Sequence, residues 1–125
     1  MTPFVCVVAP DAELRSNVAA VLARLGAAVQ SFGSAHEFLK SLAVAVPACV
    51  VADTQLPDMP GLALLQELRA RGLRIPTILL ASEADISGAV MAMRAGAVDV
   101  IEKPYIDRAL ALQVAPLLGL DVRAL

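Results

Sequence analysis

The composition of this chain excludes several classes of protein. Its 125 residues suit one domain over residues 1–125, and the 58% hydrophobic content is spread over short runs. We therefore expect a cytoplasmic protein with neither a membrane-spanning helix nor a secretory signal. With ten Lys and Arg residues and a net charge of −2, the chain is not expected to bind nucleic acid directly.

Short β-branched runs alternate with segments of helical periodicity along the chain. They predict strands at residues 4–8, 28–32, 48–52, 77–80 and 98–101. Such alternation is typical of βαβ units with right-handed crossovers. We therefore predict an α/β fold, a doubly wound (βα)5 three-layer sandwich whose functional edge lies at the carboxyl ends of the strands.

Capping residues and glycines mark the predicted helices. Asp11 precedes the first helix and Gly26 ends it, while Ser34 with Glu37 forms a capping box at the second. The other three helices are predicted between Gly61 and Gly72, from Ser82 to Gly96, and after Pro104 as far as the Pro116 to Gly119 region.

Two charged residues stand at the ends of predicted strands. Asp53 follows the apolar run that begins at Val50 and leads into a loop rich in proline that ends at Gly61. Lys103 ends a similar run about fifty residues later. Because parallel strands end at the same edge of a sheet, we expect Asp53 and Lys103 to lie together there.

These motifs resemble the receiver domains of bacterial response regulators, closest to the FixJ-type branch. The resemblance extends along nearly the whole chain and rests on Asp53 with the loop 57–61, the run 75–80, the segment 95–99 and Glu102-Lys103-Pro104. It implies the flavodoxin-like sheet order 2-1-3-4-5 and a role in two-component signal transduction and transcription regulation. It also implies phosphorylation of the aspartate by a sensor histidine kinase, with Mg²⁺ held by the aspartate and an acidic pair.

Four positions of that chemistry carry other side chains here. The acidic pair after the first strand falls on Ala9 and Pro10, and the hydroxyl that contacts the phosphate falls on Ala81. The aromatic residue of the last strand, which reports phosphorylation, falls on Val100.

The loss of the acidic pair predicts a poor metal site. Mg²⁺ prefers octahedral oxygen ligation anchored by carboxylates and phosphate oxygens, and here Asp53 would act with only the Gln55 carbonyl. We expect no resident cofactor, with Mg²⁺ bound weakly or not at all. Because phosphoryl transfer depends on cations that neutralise the transferred oxygens, phosphorylation should be severely impaired or absent.

Several polar residues have a structural alternative to a functional role. Asp53 and Lys103 could form a leftover ion pair, and Asp11, which could reach a metal, is favoured as a helix N-cap. Ser82 could supply the missing hydroxyl but also suits a cap, and Asp58 is predicted to be a turn residue. A further residue, His36, has no neighbouring Cys or second His, which argues against a metal ligand.

The two cysteines lie on strands that the sheet order makes neighbours. Cys6 and Cys49 could therefore be close, but a bridge between adjacent parallel strands would be strained. We predict two buried free thiols.

Three functional hypotheses follow. The leading one is an interaction module, not an enzyme, that works without phosphorylation; the second is a phospho-acceptor that uses Asp53, Lys103 and an unconventional metal site with Asp11. The third, a small-molecule binder or enzyme at the sheet edge, is disfavoured because no glycine-rich loop follows the first strand.

The predicted surface for a protein partner or homodimer is the face of helix 4, strand 5 and helix 5, with Ile86, Ala89, Val90, Met93, Val100, Tyr105, Ile106 and Leu112.

Overall fold

The computed structural model describes residues 3–82, 86–103 and 107–119 and contains a five-stranded parallel sheet flanked by helices. The strands are β1 (Phe4–Val8), β2 (Ala28–Phe32), β3 (Cys49–Asp53), β4 (Thr77–Ala81) and β5 (Asp99–Glu102). The helices are α1 (Ala12–Arg24), α2 (Ala35–Ser41), α3 (Gly61–Ala70), α4 (Ile86–Arg94) and α5 (Asp107–Leu117). The strand order is β2-β1-β3-β4-β5, which confirms the predicted fold and sheet order.

Three strands extend one residue further than predicted at their carboxyl ends. Pairing continues through Asp53 because the Thr54 N–H donates to the Leu80 carbonyl, and through Glu102 because the Lys103 N–H donates to the Ala81 carbonyl. Both β3 and β5 also start one residue later than predicted, and β4 reaches Ala81. As a consequence, Asp53 is the last residue of a strand and not the first residue of a loop.

The sheet separates two hydrophobic cores, because successive strand side chains point to opposite faces. One core lies under α1 and α5 and includes Val7, Leu22 and Leu110. The other lies under α2, α3 and α4 and includes Phe38 and Leu64. Strands β3 and β4 are buried throughout, as expected for central strands of a parallel sheet covered on both faces.

The predicted caps of α1 and α2 are confirmed. The Asp11 carboxylate accepts hydrogen bonds from the N–H groups of Glu13 and Leu14. At α2, Ser34 Oγ accepts from the Glu37 N–H, whereas the Glu37 carboxylate accepts from Gly33 and not from Ser34 as in a standard capping box. The predicted cap at Ser82 stays a prediction, because residues 83–85 lie outside the described part of the chain.

Both cysteines are buried free thiols, as predicted. The register pairs Cys6 with Val50 and Val5 with Cys49, so the two side chains point to opposite faces of the sheet. Each thiol packs in a different core. A disulfide is therefore excluded by the strand register rather than by strain alone.

Within the described residues, no helix has the length and apolar character needed to cross a lipid bilayer.

Candidate functional site at the carboxyl edge of the sheet

Asp53 and Lys103 meet at the carboxyl edge of the sheet, where the sequence places them. Lys103 Nζ donates to Asp53 Oδ2 at 2.7 Å. The Asp53 side chain is only 5% exposed, whereas that of Lys103 is 32% exposed. The other carboxylate oxygen, Oδ1, accepts a hydrogen bond from the Gln55 N–H at 3.0 Å. Both oxygens of this buried carboxylate therefore have donors from the chain itself.

The loop after Asp53 closes tightly on itself at its base. Gln55 and Pro60 form an antiparallel bridge, and the Gly61 N–H donates to the Thr54 carbonyl at 2.8 Å. A Cβ atom at position 61 would lie 2.6 Å from the Asp53 carbonyl oxygen, so only glycine fits there without a backbone shift. The start of α3 is thereby held against the residue that carries the carboxylate.

The same loop is attached at its tip to helix α2. Asp58 Oδ1 accepts from the Ala35 N–H at 3.1 Å, and Oδ2 accepts from the His36 N–H at 2.8 Å. Asp58 lies in the bend of the loop, as a predicted turn residue should, but its role as a cap of a distant helix was missed. No local signal could reveal it, because the acceptor and the donors are 22 and 23 residues apart.

Two opposing effects act on the pKa of Asp58. Desolvation tends to raise it, but the hydrogen bonds from His36 and Ala35 and the nearby imidazole of His36 stabilise the ionised form. The net result is a pKa below the usual value. The carboxylate therefore stays ionised and able to cap α2 over most of the pH range.

The loop between β1 and α1 contains one carboxylate, that of Asp11, which lines a cavity together with Lys103. Arg15 Nη1 donates to the carbonyl oxygens of Ala9 and Pro10, and the Asp11 carboxylate is engaged in capping α1. In the described part of the chain, no group of three or more His, Cys, Asp or Glu side chains is arranged to hold a metal ion. Mg²⁺ prefers several oxygen ligands anchored by carboxylates, and in the described residues the ends of β1 and β3 supply Asp53, the Gln55 carbonyl and the capping residue Asp11.

The remaining candidate residues make no hydrogen bond with the ion-paired side chains of Asp53 and Lys103 in the described part of the chain. Ala81 is buried and offers only a methyl group, and Val100 is half-buried against the core under α2, α3 and α4. Ser82 is exposed, as is His36, whose backbone N–H serves the Asp58 carboxylate.

Comparison with known proteins identifies the family. A family model described as the response regulator receiver domain matches residues 5–115. The chain belongs to this family. The resemblance inferred from the motifs is thus confirmed. Receiver domains of response regulators are in general non-enzymatic signalling modules that interact with kinases and other proteins.

The similar proteins include FixJ-type regulators. The receiver domain is 37% identical over 113 residues to the transcriptional regulatory protein FixJ of Azorhizobium caulinodans, covering 90% of this chain and 54% of that protein. It is 38% identical over 107 residues to nodulation protein W of Bradyrhizobium diazoefficiens, covering 86% of this chain and 47% of that protein. The receiver domain thus spans about half the length of these relatives.

Solved structures of response regulators are also similar to this chain. Full-length FixJ from B. japonicum superposes with a TM-score of 0.87 at 30% identity, covering 95% of this chain and 59% of that chain. The receiver domain of the Francisella response regulator 1452 superposes with a TM-score of 0.86 at 21% identity, covering 94% of this chain and 97% of that one. The second likeness concerns the fold alone.

Proposed function

We propose that this receiver domain is a protein-interaction module of two-component signalling that works without phosphorylation of Asp53. The observation that carries the proposal is the state of the Asp53 carboxylate, whose two oxygens accept from Lys103 Nζ and the Gln55 N–H. No second carboxylate faces it from the end of β1, where Ala9 and Pro10 stand. The domain would occupy residues 1–125 and act in the cytoplasm, as a binding partner and not as an enzyme.

The chemistry of phosphoryl transfer supports this proposal. Negative charge on the transferred group must be neutralised by cations in fixed positions, usually Mg²⁺ together with a lysine. Lys103 is the cation at the site, and it would have to release Asp53 before it could hold a phosphate oxygen. The Ala81 methyl group offers no hydrogen bond in support. We therefore treat Asp53 as a phospho-acceptor position that is not used, and Lys103 as its structural partner.

The proposed partner surface is the α4–β5–α5 face, with exposed apolar side chains on α4, just before β5 and on α5. Its exposed members in the described residues are Val90, Met91, Met93, Val98 and Leu112. Of the other predicted members, Ala89 and Val100 are half-buried, and Ile86, Tyr105 and Ile106 lie outside the described side chains. Large apolar side chains left exposed in one region of a surface usually mark a contact site. We propose that this face binds a second copy of the domain or a protein partner, such as a sensor kinase, through the same residues.

The names of the relatives support a role in transcription regulation. FixJ is called a transcriptional regulatory protein, and the receiver domain spans about half of it. We propose that this domain regulates transcription through a protein contact. The net charge of −2 argues against direct DNA binding by these residues.

A phosphate-mimic titration tests the proposal. The protein is incubated with beryllofluoride and excess Mg²⁺, and amide NMR signals around Asp53 are followed; acetyl phosphate with mass spectrometry gives the covalent version. We expect no saturable change in the wild-type protein. An Ala9→Asp/Pro10→Asp variant restores the acidic pair and should gain Mg²⁺-dependent binding that Asp53→Asn abolishes. A saturable, Asp53-dependent response of the wild-type protein would overturn the proposal and assign a working phospho-acceptor.

Sedimentation at several concentrations tests the interaction surface. We expect a weak homodimer whose affinity is the same with and without Mg²⁺ and beryllofluoride. Val90→Glu should abolish the dimer. Val44→Glu should not, and it is a matched control because Val44 follows α2 in the chain and is 92% exposed. Association that appears only with the mimic, or that resists Val90→Glu, would contradict a constitutive contact through this face.

A further inference from the structure

The Asp58 carboxylate makes a long-range connection between two elements of the carboxyl edge. Its two oxygens accept from the consecutive N–H groups of Ala35 and His36 at 3.1 and 2.8 Å. These N–H groups belong to the first turn of α2, which has no acceptors of its own for them. The next N–H group, that of Glu37, is satisfied by Ser34 Oγ. The start of α2 therefore depends on a side chain from another loop.

That loop is the one that begins at Asp53. At its base, the Gln55 N–H donates to Asp53 Oδ1 and the Gln55–Pro60 bridge closes the ring. At its tip, Asp58 is bound to α2. Pro57 lies between the base and the tip, Pro60 lies at the base, and the fixed φ angles of both prolines make the loop stiff. A shift of Gln55 relative to Asp53 should therefore move Asp58 relative to α2.

We propose that Asp58 is a positioning residue that couples the Asp53–Lys103 ion pair to helix α2, so that a change at Asp53 loosens the first turn of α2. Since coupling of this kind is reciprocal, loss of Asp58 should also loosen the hydrogen bond between Gln55 and Asp53. The coupling goes beyond the proposed interaction face, which lies on α4, β5 and α5, and it requires no phosphorylation. Through it, the first turn of α2 depends on the hydrogen bond between Gln55 and Asp53.

The cap at Asp11 provides an internal comparison. Its carboxylate also accepts from two N–H groups at a helix start, but these belong to residues only two and three positions later. Asp11 therefore closes a local turn and joins no second loop. If Asp58 were merely a cap of this local kind, its removal would affect α2 alone.

Amide hydrogen exchange measured by NMR distinguishes the two cases. In Asp58→Ala we expect faster exchange of Ala35 and His36 and also of Gln55, each by about fivefold, the factor that a typical helix-cap hydrogen bond contributes. In Asp53→Ala we expect the Ala35 and His36 amides to exchange faster by a similar factor. The exchange rate of the core amide of Val51 reports global unfolding, and its change in each variant is subtracted from the changes at the other amides.

The control variant is Asp11→Ala, which should accelerate exchange at Glu13 and Leu14 and leave Gln55 unchanged. Asp53→Asn serves as the second variant if Asp53→Ala folds poorly; it keeps an acceptor for the Gln55 N–H but loses the charge, so the α2 amides should shift in the same direction by a smaller factor. The proposal is wrong if Asp58→Ala leaves Gln55 unchanged, or if both Asp53 variants leave Ala35 and His36 unchanged. Neither outcome depends on whether the wild-type protein binds beryllofluoride. A wild-type response to the phosphate mimic would therefore overturn the proposed function without deciding this coupling.

Discussion

The Lys103 ammonium lies 2.7 Å from Asp53 Oδ2, yet the two partners differ in their access to water. Asp53 is 5% exposed and, among the described residues, has one other donor, the Gln55 N–H, whereas Lys103 is 32% exposed. Loss of Lys103 would leave a buried carboxylate that keeps, from the described residues, only the hydrogen bond of the Gln55 N–H. Loss of the Asp53 charge would leave an ammonium that can still reach solvent.

This asymmetry predicts unequal effects on stability. Lys103→Met should lower the free energy of unfolding by about 2 kcal/mol, because an unpaired buried charge is costly even when partial exposure of the pair reduces the penalty. Asp53→Asn should change it by at most about 1 kcal/mol. Urea unfolding of the two single variants and of the double variant measures the difference. Equal losses in the two single variants would show that the carboxylate is not effectively buried.

The close approach of Gly61 to Asp53 predicts a second stability difference. Gly61→Ala should destabilise the protein by about 1–3 kcal/mol, because the new Cβ would lie 2.6 Å from a backbone oxygen that cannot move freely. Gly88→Ala is the matched control: no atom lies within 4 Å of its added Cβ, and alanine favours the helix by about 0.8–1.0 kcal/mol. The midpoint temperature of thermal unfolding should therefore fall in Gly61→Ala and rise in Gly88→Ala. A neutral Gly61→Ala would mean that the loop after Asp53 relaxes easily.

Asp58 predicts a specific dependence of stability on pH. Its pKa in the folded protein lies below the ordinary value of 3.8, since the backbone hydrogen bonds of the α2 cap outweigh desolvation. The stabilisation is therefore present above the unfolded-state pKa and is lost as the pH falls through the folded-state pKa. Asp58→Asn should be less stable than wild type near pH 6, and the gap should narrow toward about pH 3. A constant gap across this range, measured by urea midpoints, would contradict an ionised cap.

The buried thiols predict low chemical reactivity. Burial raises the pKa of Cys6 from 9.0 to about 11, and burial together with the nearby Cys6 raises that of Cys49 to about 12. Because only the thiolate attacks a disulfide reagent, neither residue should react in the folded protein near pH 8. Both should react after denaturation, and a thiol introduced by Val44→Cys at an exposed position should react at once. Rapid native labelling of one thiol would reveal local opening of its core.

Much of this molecule was predictable from local patterns. The alternation of apolar runs with capped helical segments determined the element order, because side-chain periodicity and end capping depend on residues within a few positions of each other. The Asp53–Lys103 contact was also predictable, since both residues follow strands and parallel strands end at one edge. The family motifs in the same segments led to the correct family.

Contacts between distant segments required the tertiary structure. The register of β1 against β3 decided that Cys6 and Cys49 face different cores, and one residue of slip would have reversed that outcome. Packing of the loop after β3 against α2 decided that Asp58 caps a helix 22 residues away. Local sequence patterns were enough to predict which elements form and which charged residues reach the edge of the sheet. The donors and acceptors of those residues depend on strand register and loop path, which bring distant segments together and which no local pattern encodes.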